Sequence, residues 1–375
     1  MSNHKLGLII NPIAGIGGRV GLKGSDGYEI QQQALTLGAK PLAQERARGA
    51  LEVLSPFAKR LSLLTPPGDM GERLAERMGF QPHILPIHPE ENGKTTAEDT
   101  RRAAAEMQMS GVDLILFVGG DGTARDIYKA VGNNHPVLGV PAGVKIHSAV
   151  FGVTPKASGE LAWVFLNSKG CRLREAPVFD LDEKTYRKGK IITKLHGYLM
   201  IPYLRTRIQN QKVPTPANEI AQAQAIAADI YERLEPRKAY AIGPGTTTRA
   251  IAEVLGFPKT LVGVDIFTSE ELLAKDVGER QILEILSQRP LGLIMSPIGG
   301  QGFLFGRGNQ QISPEVIRLV GRDNITVICL ARKIAALRGR PLLVDTGDRE
   351  VDDLLKGYIE VITGYHEKTV YRISN

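Results

Sequence analysis

Several features that define particular classes of protein are scarce in this sequence. Only Cys171 and Cys329 carry thiols among 375 residues, and neither belongs to a CxxC motif. The sequence therefore predicts neither a disulfide framework nor a zinc site. No uninterrupted apolar run approaches the roughly 18–20 residues that a transmembrane helix needs, and MSNHKLGLII at the start has no charged leader followed by a long apolar stretch. We expect a cytoplasmic protein with no stable membrane association.

Aromatic residues are also few, at 6% of the chain, although the formal net charge is +7. A positive balance suits an anionic partner, which can be nucleic acid, a membrane surface or a phosphorylated small molecule. The densest basic clusters are KTYRKGK (184–190) and ARKIAALRGR (331–340). Neither alternates basic with stacking aromatic side chains, so we expect no nucleic-acid partner and interpret these clusters as solvated surface.

The first 150 residues alternate between short apolar segments and helical patterns. Strands are predicted over 5–10, 82–87, 112–118 and 135–143, and a strand followed by a turn over 60–71. Helices are predicted over 29–38, 43–58, 71–79, 95–111 and 124–132. The helix over 95–111 opens with a capping box, with Thr95 as N-cap and Glu98 at N3. This alternation predicts an α/β domain over 1–150 with a Rossmann-like parallel sheet covered by helices on both faces.

The pattern of predicted secondary structure changes near residue 150. Strand-like segments are predicted at 162–167, 171–182 and 189–202, and again in the last 50 residues. An amphipathic helix is predicted over 219–235, with an apolar stripe formed by Ile220, Ala223, Ile226, Ala227, Ile230 and Leu234. Residues 239–256 repeat the order of strand, glycine loop and helix. We expect a β-rich second domain over 151–375 with inserted helices.

The most informative segment is FVGGDGT (117–123), which directly follows a buried strand. Glycines at this point let backbone N–H groups approach a phosphate, and the next helix adds a favourable dipole. The carboxylate of Asp121 repels phosphate, but it is useful if it holds Mg²⁺ or accepts a proton from an attacking hydroxyl. The alternative is a tight turn in which Asp121 caps the helix and the glycines are purely conformational.

FVGGDGTARDIYKAV, together with LGLIINPIAG near the N-terminus, resembles the NAD kinase and diacylglycerol/sphingosine kinase superfamily. Within it the chain is most similar to the ATP-NAD kinase-like branch that includes AcoX-type proteins. The supporting segments lie at 11–27, 141–152, 242–248, 298–313 and 344–348. The resemblance covers nearly the whole chain. It implies an α/β N-terminal domain, a β-rich C-terminal domain and an active site in the crevice between them.

The resemblance also implies roles for individual residues. Asp121 matches the essential aspartate that activates the ribose 2′-hydroxyl of NAD. The residues that match phosphate- and nucleotide-binding segments are Asn11 and Pro12 after the first strand, Gly119, Gly120, Gly122 and Thr123 around Asp121, and Gly243, Gly245, Thr246 and Thr247 in the second domain. The metal ligands stay unassigned.

The sequence departs from NAD kinases after the fifth strand, where PAGVKIHS replaces an NxGxLGF segment. Lys145 in this segment either neutralises a transferring phosphate or is a surface lysine. His147 either assists proton transfer or is a hydrogen-bonded structural histidine. In the second domain, Asp265 and Arg307 are weaker candidates for contacts with ribose and phosphate.

The function that these features predict is transfer of a phosphoryl group from ATP or polyphosphate to the ribose 2′-hydroxyl of NAD, giving NADP, with Mg²⁺ as cofactor. One alternative is a kinase of the same superfamily that acts on another hydroxyl, such as that of a lipid. The other is a nucleotide-binding sensor without turnover. The resemblance further implies a homo-oligomer, either a dimer or a tetramer.

Overall fold

The structure, a computed structural model, describes residues 4–22, 28–87, 95–143, 146–167, 171–181, 193–203, 218–298 and 302–375. The chain forms two units. The first comprises Met1–Ile16, Gly24–Leu35 and Lys40–Gln211, and the second comprises Gly17–Lys23, Thr36–Ala39 and Lys212–Asn375.

A five-stranded parallel sheet forms the centre of the first unit. Its strands are β1 (His4–Ile10), β2 (Leu61–Thr65), β3 (His83–Ile84), β4 (Leu114–Gly119) and β5 (Val137–Pro141), in the order β3-β2-β1-β4-β5. Leu6 pairs with Leu63 on one side and with Leu114 on the other. Strands β4 and β5 are buried along their whole length, as expected for a sheet with both faces covered. The parallel sheet predicted from the sequence is confirmed.

The α-helices that the structure describes in the first unit are α1 (Tyr28–Thr36), α2 (Ala43–Leu54), α3 (Glu72–Arg77), α4 (Ala97–Met109), α5 (Asp121–Val131) and α6 (Pro155–Asn167). The capping box of α4 lies one residue later than predicted, because Thr96 is the N-cap and Asp99 is N3. The amide of Thr96 donates to the Asp99 carboxylate at 2.7 Å. Helix α5 begins three residues earlier than predicted, so Asp121 belongs to its first turn.

Helix α6 corrects a strand prediction, since residues 162–167 are its last six residues. The buried apolar positions of α6 recur at helical spacing, at Ala157, Leu161, Ala162 and Leu166. A Cβ added at Gly159 would overlap the carbonyl oxygen of Ala50, so α6 and α2 pack with their backbones close together. A short apolar run does not distinguish a strand from a buried helix end, which explains the error.

Strands β6 (Arg172–Leu181) and β7 (Thr193–Tyr203) pair antiparallel within the first unit. The amide of Ala149 donates to the carbonyl of Pro177 at 3.1 Å, and the Ser148 hydroxyl donates to the carbonyl of Phe179 at 2.9 Å. These bonds attach the strand pair to the segment after β5. The first unit therefore extends to Gln211, whereas the sequence placed a domain boundary near residue 150.

The second unit contains a nine-stranded mixed sheet, which confirms the prediction of a strand-rich second half. Its strands are β8 (Ala239–Ile242), β9 (Asp265–Phe267), β10 (Leu272–Ala274), β11 (Leu291–Met295), β12 (Phe303–Phe305), β13 (Ile325–Ile328), β14 (Leu342–Val344), β15 (Gly357–Gly364) and β16 (Glu367–Ser374). Their order is β10-β9-β8-β11-β13-β15-β16-β14-β12. Strands β8, β11, β13 and β15 run parallel, and β15 and β16 form an antiparallel hairpin.

The helices described in the second unit are α7 (Asn218–Glu232), α8 (Thr246–Val254), α9 (Glu279–Gln288), α10 (Pro314–Val320), α11 (Ala331–Ala336) and α12 (Arg349–Leu355). In α7 the predicted stripe is buried at four central positions, Ala223, Ile226, Ala227 and Ile230. Ile220 does not belong to it, because this side chain in the first turn is 59% exposed. The predicted order of strand, glycine loop and helix over 239–256 is confirmed by β8 and α8.

Candidate active site

Three segments of the first unit meet at the carboxyl edge of its sheet, after the neighbouring strands β1, β4 and β5. The amide of Asn11 donates to the carbonyl of Val118 at 3.0 Å. The amides of Ala142 and Gly143 donate to the carbonyl of Gly119 at 2.9 and 3.1 Å. The strand order reverses between β1 and β4, and this switch point is where parallel sheets of this kind bind ligands.

Asn11 connects the first of these segments to the second. Its side-chain Nδ2 donates to the hydroxyl of Thr123 at 3.0 Å, and its Oδ1 accepts from the amide of Ile13 at 3.3 Å. The second bond closes a turn around Pro12, as asparagine side chains often do. The structure thus brings together Asn11, Pro12 and Thr123, which the sequence had assigned to nucleotide binding.

The carboxylate of Asp121 is buried at the start of α5, with 6% of the residue exposed. One oxygen accepts a hydrogen bond from the amide of His147 at 2.7 Å, and the other accepts from the amide of Ser148 at 3.0 Å. The N-cap of α5 is Gly120, and no side chain caps this helix. The alternative in which Asp121 is a helix cap is therefore wrong. Its side chain instead fixes the segment after β5.

The ring of His147 also lies against this carboxylate. Its Nδ1 is 3.3 Å from Oδ2 of Asp121, and the side chain is 8% exposed. An imidazole beside a carboxylate can hold or pass on a proton. Lys145, the other candidate in this segment, lies outside the described residues.

The glycines around Asp121 allow close packing at the helix start. A Cβ at Gly119 would overlap the side chain of Thr123, and one at Gly120 would lie 3.1 Å from Cα of Gly143. Gly122 is partly buried in the first turn of α5. The first amides of a helix have no acceptor within the helix, and together with the dipole they suit an anion. The predicted phosphate-binding loop is thus the first helical turn.

Two ion pairs hold α5 to neighbouring elements. Arg101 of α4 contacts the carboxylate of Asp126 at 3.1 Å, and Arg125 pairs with Asp180 of β6. Burial raises the pKa of Asp126, and the positive charge of Arg125 works in the opposite direction. The helix that carries Asp121 is therefore anchored on two sides.

The second unit gathers its own predicted residues at the start of α8. The amide of Gly243 donates to the carbonyl of Ile294 at 3.0 Å. Gly245 is the N-cap of α8. Its φ of +128° is a backbone conformation that favours glycine over residues with a side chain. Thr246 is exposed and Thr247 is buried. Glycine and threonine at a helix start suit a phosphate or a ribose.

Lys333 of α11 is a candidate that the sequence reasoning missed. Its ammonium donates to the hydroxyl of Thr247 at 3.2 Å. Burial lowers the pKa of Lys333, while the nearby thiol of Cys329 and the carboxylate of Glu219 work in the opposite direction. A partly buried cation beside a helix start strengthens an anion site. The only signal in the sequence was a basic cluster that we interpreted as solvated surface.

Two other predicted residues take part in buried ion pairs of the second unit. Asp265 lies 3.2 Å from the ammonium of Lys259, and both side chains are 1% exposed. Arg307 lies 3.4 Å from the carboxylate of Asp345. These contacts account for Asp265 and Arg307 without any ligand.

Magnesium requires oxygen ligands, and the predicted cofactor can be tested against the residues present. Within the described ranges there is no group of three or more His, Cys, Asp or Glu side chains placed to hold a metal ion. Asp121 already accepts two backbone hydrogen bonds. The described residues therefore do not form a protein cage for Mg²⁺.

In α/β proteins, a helix start at the switch point of a parallel sheet is a common site for phosphorylated ligands. Residues 6–169 match the ATP-NAD kinase N-terminal domain, and residues 240–373 match the ATP-NAD kinase C-terminal domain. The chain therefore belongs to the ATP-NAD kinase family, and this membership supports a phosphotransferase activity of the kinase type. The more specific likeness to AcoX-type proteins stays a prediction.

Comparison with curated proteins and with solved structures gave no significant match. In the part of the chain that the structure describes, no helix combines the length and the apolar character needed to cross a membrane.

Proposed function

We propose that this protein transfers a phosphoryl group from ATP or polyphosphate to the ribose 2′-hydroxyl of NAD, giving NADP. Both halves of the chain match domains of ATP-NAD kinases, which supports a nucleotide-dependent kinase. The site in the first unit supplies what phosphoryl transfer to an alcohol requires, namely helix-start amides for an anion and a group that activates the hydroxyl.

The observation that carries this proposal is the buried carboxylate of Asp121 in the first turn of α5. A negative charge at a phosphate-binding helix start weakens phosphate binding. Its presence is accounted for if the carboxylate takes part in activating the hydroxyl that attacks phosphorus. Asp121 is held for this role by the amides of His147 and Ser148.

The phosphate-binding residues have separate roles in this proposal. Asn11, Pro12 and Thr123 hold the nucleotide in the first unit. Gly243, Gly245, Thr246 and Thr247 of the second unit contact phosphate or ribose, and Lys333 adds a positive charge beside Thr247. In this proposal Mg²⁺ is bound by the donor phosphates, since magnesium usually keeps several water ligands and few protein ligands.

The test is a coupled assay for NADP⁺ formation from NAD⁺ with Mg²⁺ and either ATP or polyphosphate. Wild type is compared with Asp121→Asn, and with Asp69→Asn as control, because Asp69 is an exposed aspartate that pairs with Arg73. We expect turnover in the wild type and the control, and a loss of a hundredfold or more in Asp121→Asn, in line with a loss of general-base catalysis.

Binding of NAD⁺ and of ATP to the same three proteins, measured by calorimetry, separates the alternatives. A non-catalytic sensor would bind nucleotide as well or better after Asp121→Asn and would show no turnover in any variant. A folded wild type that binds nucleotide but forms no NADP⁺ with either donor would overturn the choice of NAD as acceptor. A panel of other hydroxyl compounds, including lipids, would then identify the class of acceptor.

A further inference from the structure

The lone pairs of the Asp121 carboxylate are largely occupied. A carboxylate offers about four acceptor positions. The amide of His147 and ring atom Nδ1 of the same residue both lie against Oδ2, and the amide of Ser148 donates to Oδ1. About one position remains for a substrate hydroxyl. The carboxylate is thus arranged chiefly to orient the 147–148 segment.

The geometry of the imidazole is complementary to this carboxylate. Because Nδ1 faces Oδ2 of Asp121 at 3.3 Å, the neutral tautomer with its hydrogen on Nδ1 is favoured, and the lone pair is then on Nε2. An aspartate that orients a histidine in this way also stabilises the imidazolium that forms when Nε2 takes up a proton. Asp121 and His147 therefore have the arrangement of a catalytic dyad.

We propose that His147 is the general base of the reaction, and that Asp121 acts through it as a positioning residue. The inference rests on the proposed function, phosphoryl transfer to a hydroxyl, and revises how Asp121 serves it. Nε2 of His147 accepts the hydroxyl proton. The hydroxyl oxygen forms the new bond to the terminal phosphorus, and the bond from that phosphorus to the leaving oxygen of the donor breaks with its electron pair on that oxygen. The imidazolium later returns its proton to water.

The charged surroundings are consistent with this role. Among the described residues, the carboxylate of Asp121 is the charged group that contacts the imidazole ring of His147. The next charged side chains on α5, Arg125 and Asp126, are paired with Asp180 and Arg101. Because a protonated imidazole cannot act as a base, we expect kcat/KM of the wild type to fall on the acidic side through a single ionisation.

Substitutions at position 147 test the ring alone, since the backbone amide that donates to Asp121 is present in every variant. His147→Asn places an amide close to the position of Nδ1, so it can still donate to Asp121, but it has no basic nitrogen. We expect kcat to fall a hundredfold or more, with KM for the nucleotide changed less than threefold. The acidic limb of the pH profile should disappear, and added imidazole should restore part of the rate of His147→Ala.

His135→Gln is the control, because His135 is a buried histidine that precedes β5, whereas His147 follows that strand. It should keep both the rate and the pH profile. Circular dichroism and thermal unfolding of every variant show whether a loss of rate reflects unfolding. Rescue of the rate by imidazole can be measured even if a variant is destabilised.

Two results would overturn the inference, and they are distinguishable. If wild type forms NADP⁺ and His147→Asn keeps its kcat and its acidic limb, Asp121 acts on the hydroxyl directly and only this inference fails. If folded wild type forms no NADP⁺ with either donor, the proposed function fails, and the role assigned to His147 fails with it.

Discussion

The side-chain amide of Asn11 donates a hydrogen bond to the hydroxyl of Thr123 with a nitrogen–oxygen distance of 3.0 Å. The two residues are 112 positions apart in the sequence. They follow the neighbouring strands β1 and β4, so this bond spans the switch point of the sheet. It couples the turn after β1 to the first turn of α5, which carries Asp121.

A double-mutant cycle measures this coupling. Thr123→Val keeps the shape of the side chain but removes the hydroxyl, and we expect it to lower the free energy of unfolding by about 1 kcal/mol. Asn11→Ala should have a similar effect. The double variant should lose less than the sum, with a coupling energy of about 0.5 kcal/mol or more. Thr123→Ser, which keeps the hydroxyl, is the control. Strict additivity in urea unfolding would show that the contact contributes nothing.

Substitution of Gly15 by alanine is expected to lower the free energy of unfolding. The φ of Gly15 is +79°, and a Cβ would overlap the carbonyl oxygen of Ala142 in the segment after β5. Gly79→Ala is the matched control, because Gly79 has a φ of +81° with no atom within 4 Å of the added Cβ. Both variants should lose about 1 kcal/mol from backbone strain. Gly15→Ala should lose about 1–3 kcal/mol more from overpacking. Equal losses of unfolding free energy in the two variants would contradict the overlap.

Lys333 is expected to lower the free energy of unfolding while it strengthens the binding of a phosphate. Burial lowers the pKa of Lys333 in the folded state. Keeping the charged ammonium in the folded protein therefore reduces the free energy of unfolding at low pH. This reduction becomes smaller as pH rises, because the folded state loses the proton before the unfolded chain does. Lys333→Met removes the buried charge and should raise stability by about 1 kcal/mol. The same change should raise KM for the phosphoryl donor tenfold or more, because the cation beside Thr247 is lost.

The control for this substitution is Lys368→Met, since Lys368 is a surface lysine that pairs with Glu360. Its effect on stability should stay within about 0.5 kcal/mol. A Lys333→Met protein that is less stable and has an unchanged donor KM would mean that Lys333 is structural only.

Cys329 is expected to make folding sensitive to alkaline pH. Burial raises the pKa of this thiol to about 11. The raised value means that the folded state keeps its proton when the unfolded chain, with a thiol pKa of about 8.5, has lost it. The contribution of the protonated thiol to the free energy of unfolding is therefore fully present below about pH 8.5 and is lost as pH rises through about 11. The loss is roughly 3 kcal/mol, since one pKa unit corresponds to about 1.4 kcal/mol.

Urea unfolding at a series of pH values measures this loss. Cys329→Ala lowers stability at neutral pH because it leaves a cavity, but its alkaline slope should be shallower than that of the wild type. Parallel slopes for the two proteins would assign the alkaline loss to other groups.

The sequence predicted most of the first sheet because its strands are short apolar runs with helices between them. It failed for α6, where the five apolar residues 162–166 showed no usable period. It was also wrong by one residue at the start of α4, where Thr95 and Thr96 are both plausible caps. The match of GGDGT to a known superfamily located Asp121. It could not reveal that two backbone amides hold the carboxylate, because these come from residues 26 and 27 positions away.

The contact of Lys333 with Thr247 illustrates a different limit. The two residues are 86 positions apart and neither belongs to a motif that includes the other. Composition alone made the cluster around Lys333 look like solvated surface. Only the three-dimensional arrangement of β8, β13 and the helices that follow them brings the ammonium to the helix start.

The central position of β1 has a consequence for how the chain is made. This strand leaves the ribosome well before its second neighbour, which begins at Leu114. At roughly 5–20 residues per second, β1 waits on the order of ten seconds for β4. During that interval one edge of the nascent sheet has unpaired backbone groups, a state prone to wrong pairing. A chain truncated before Thr123 would contain Asn11 but would lack the hydroxyl to which the side chain of Asn11 donates.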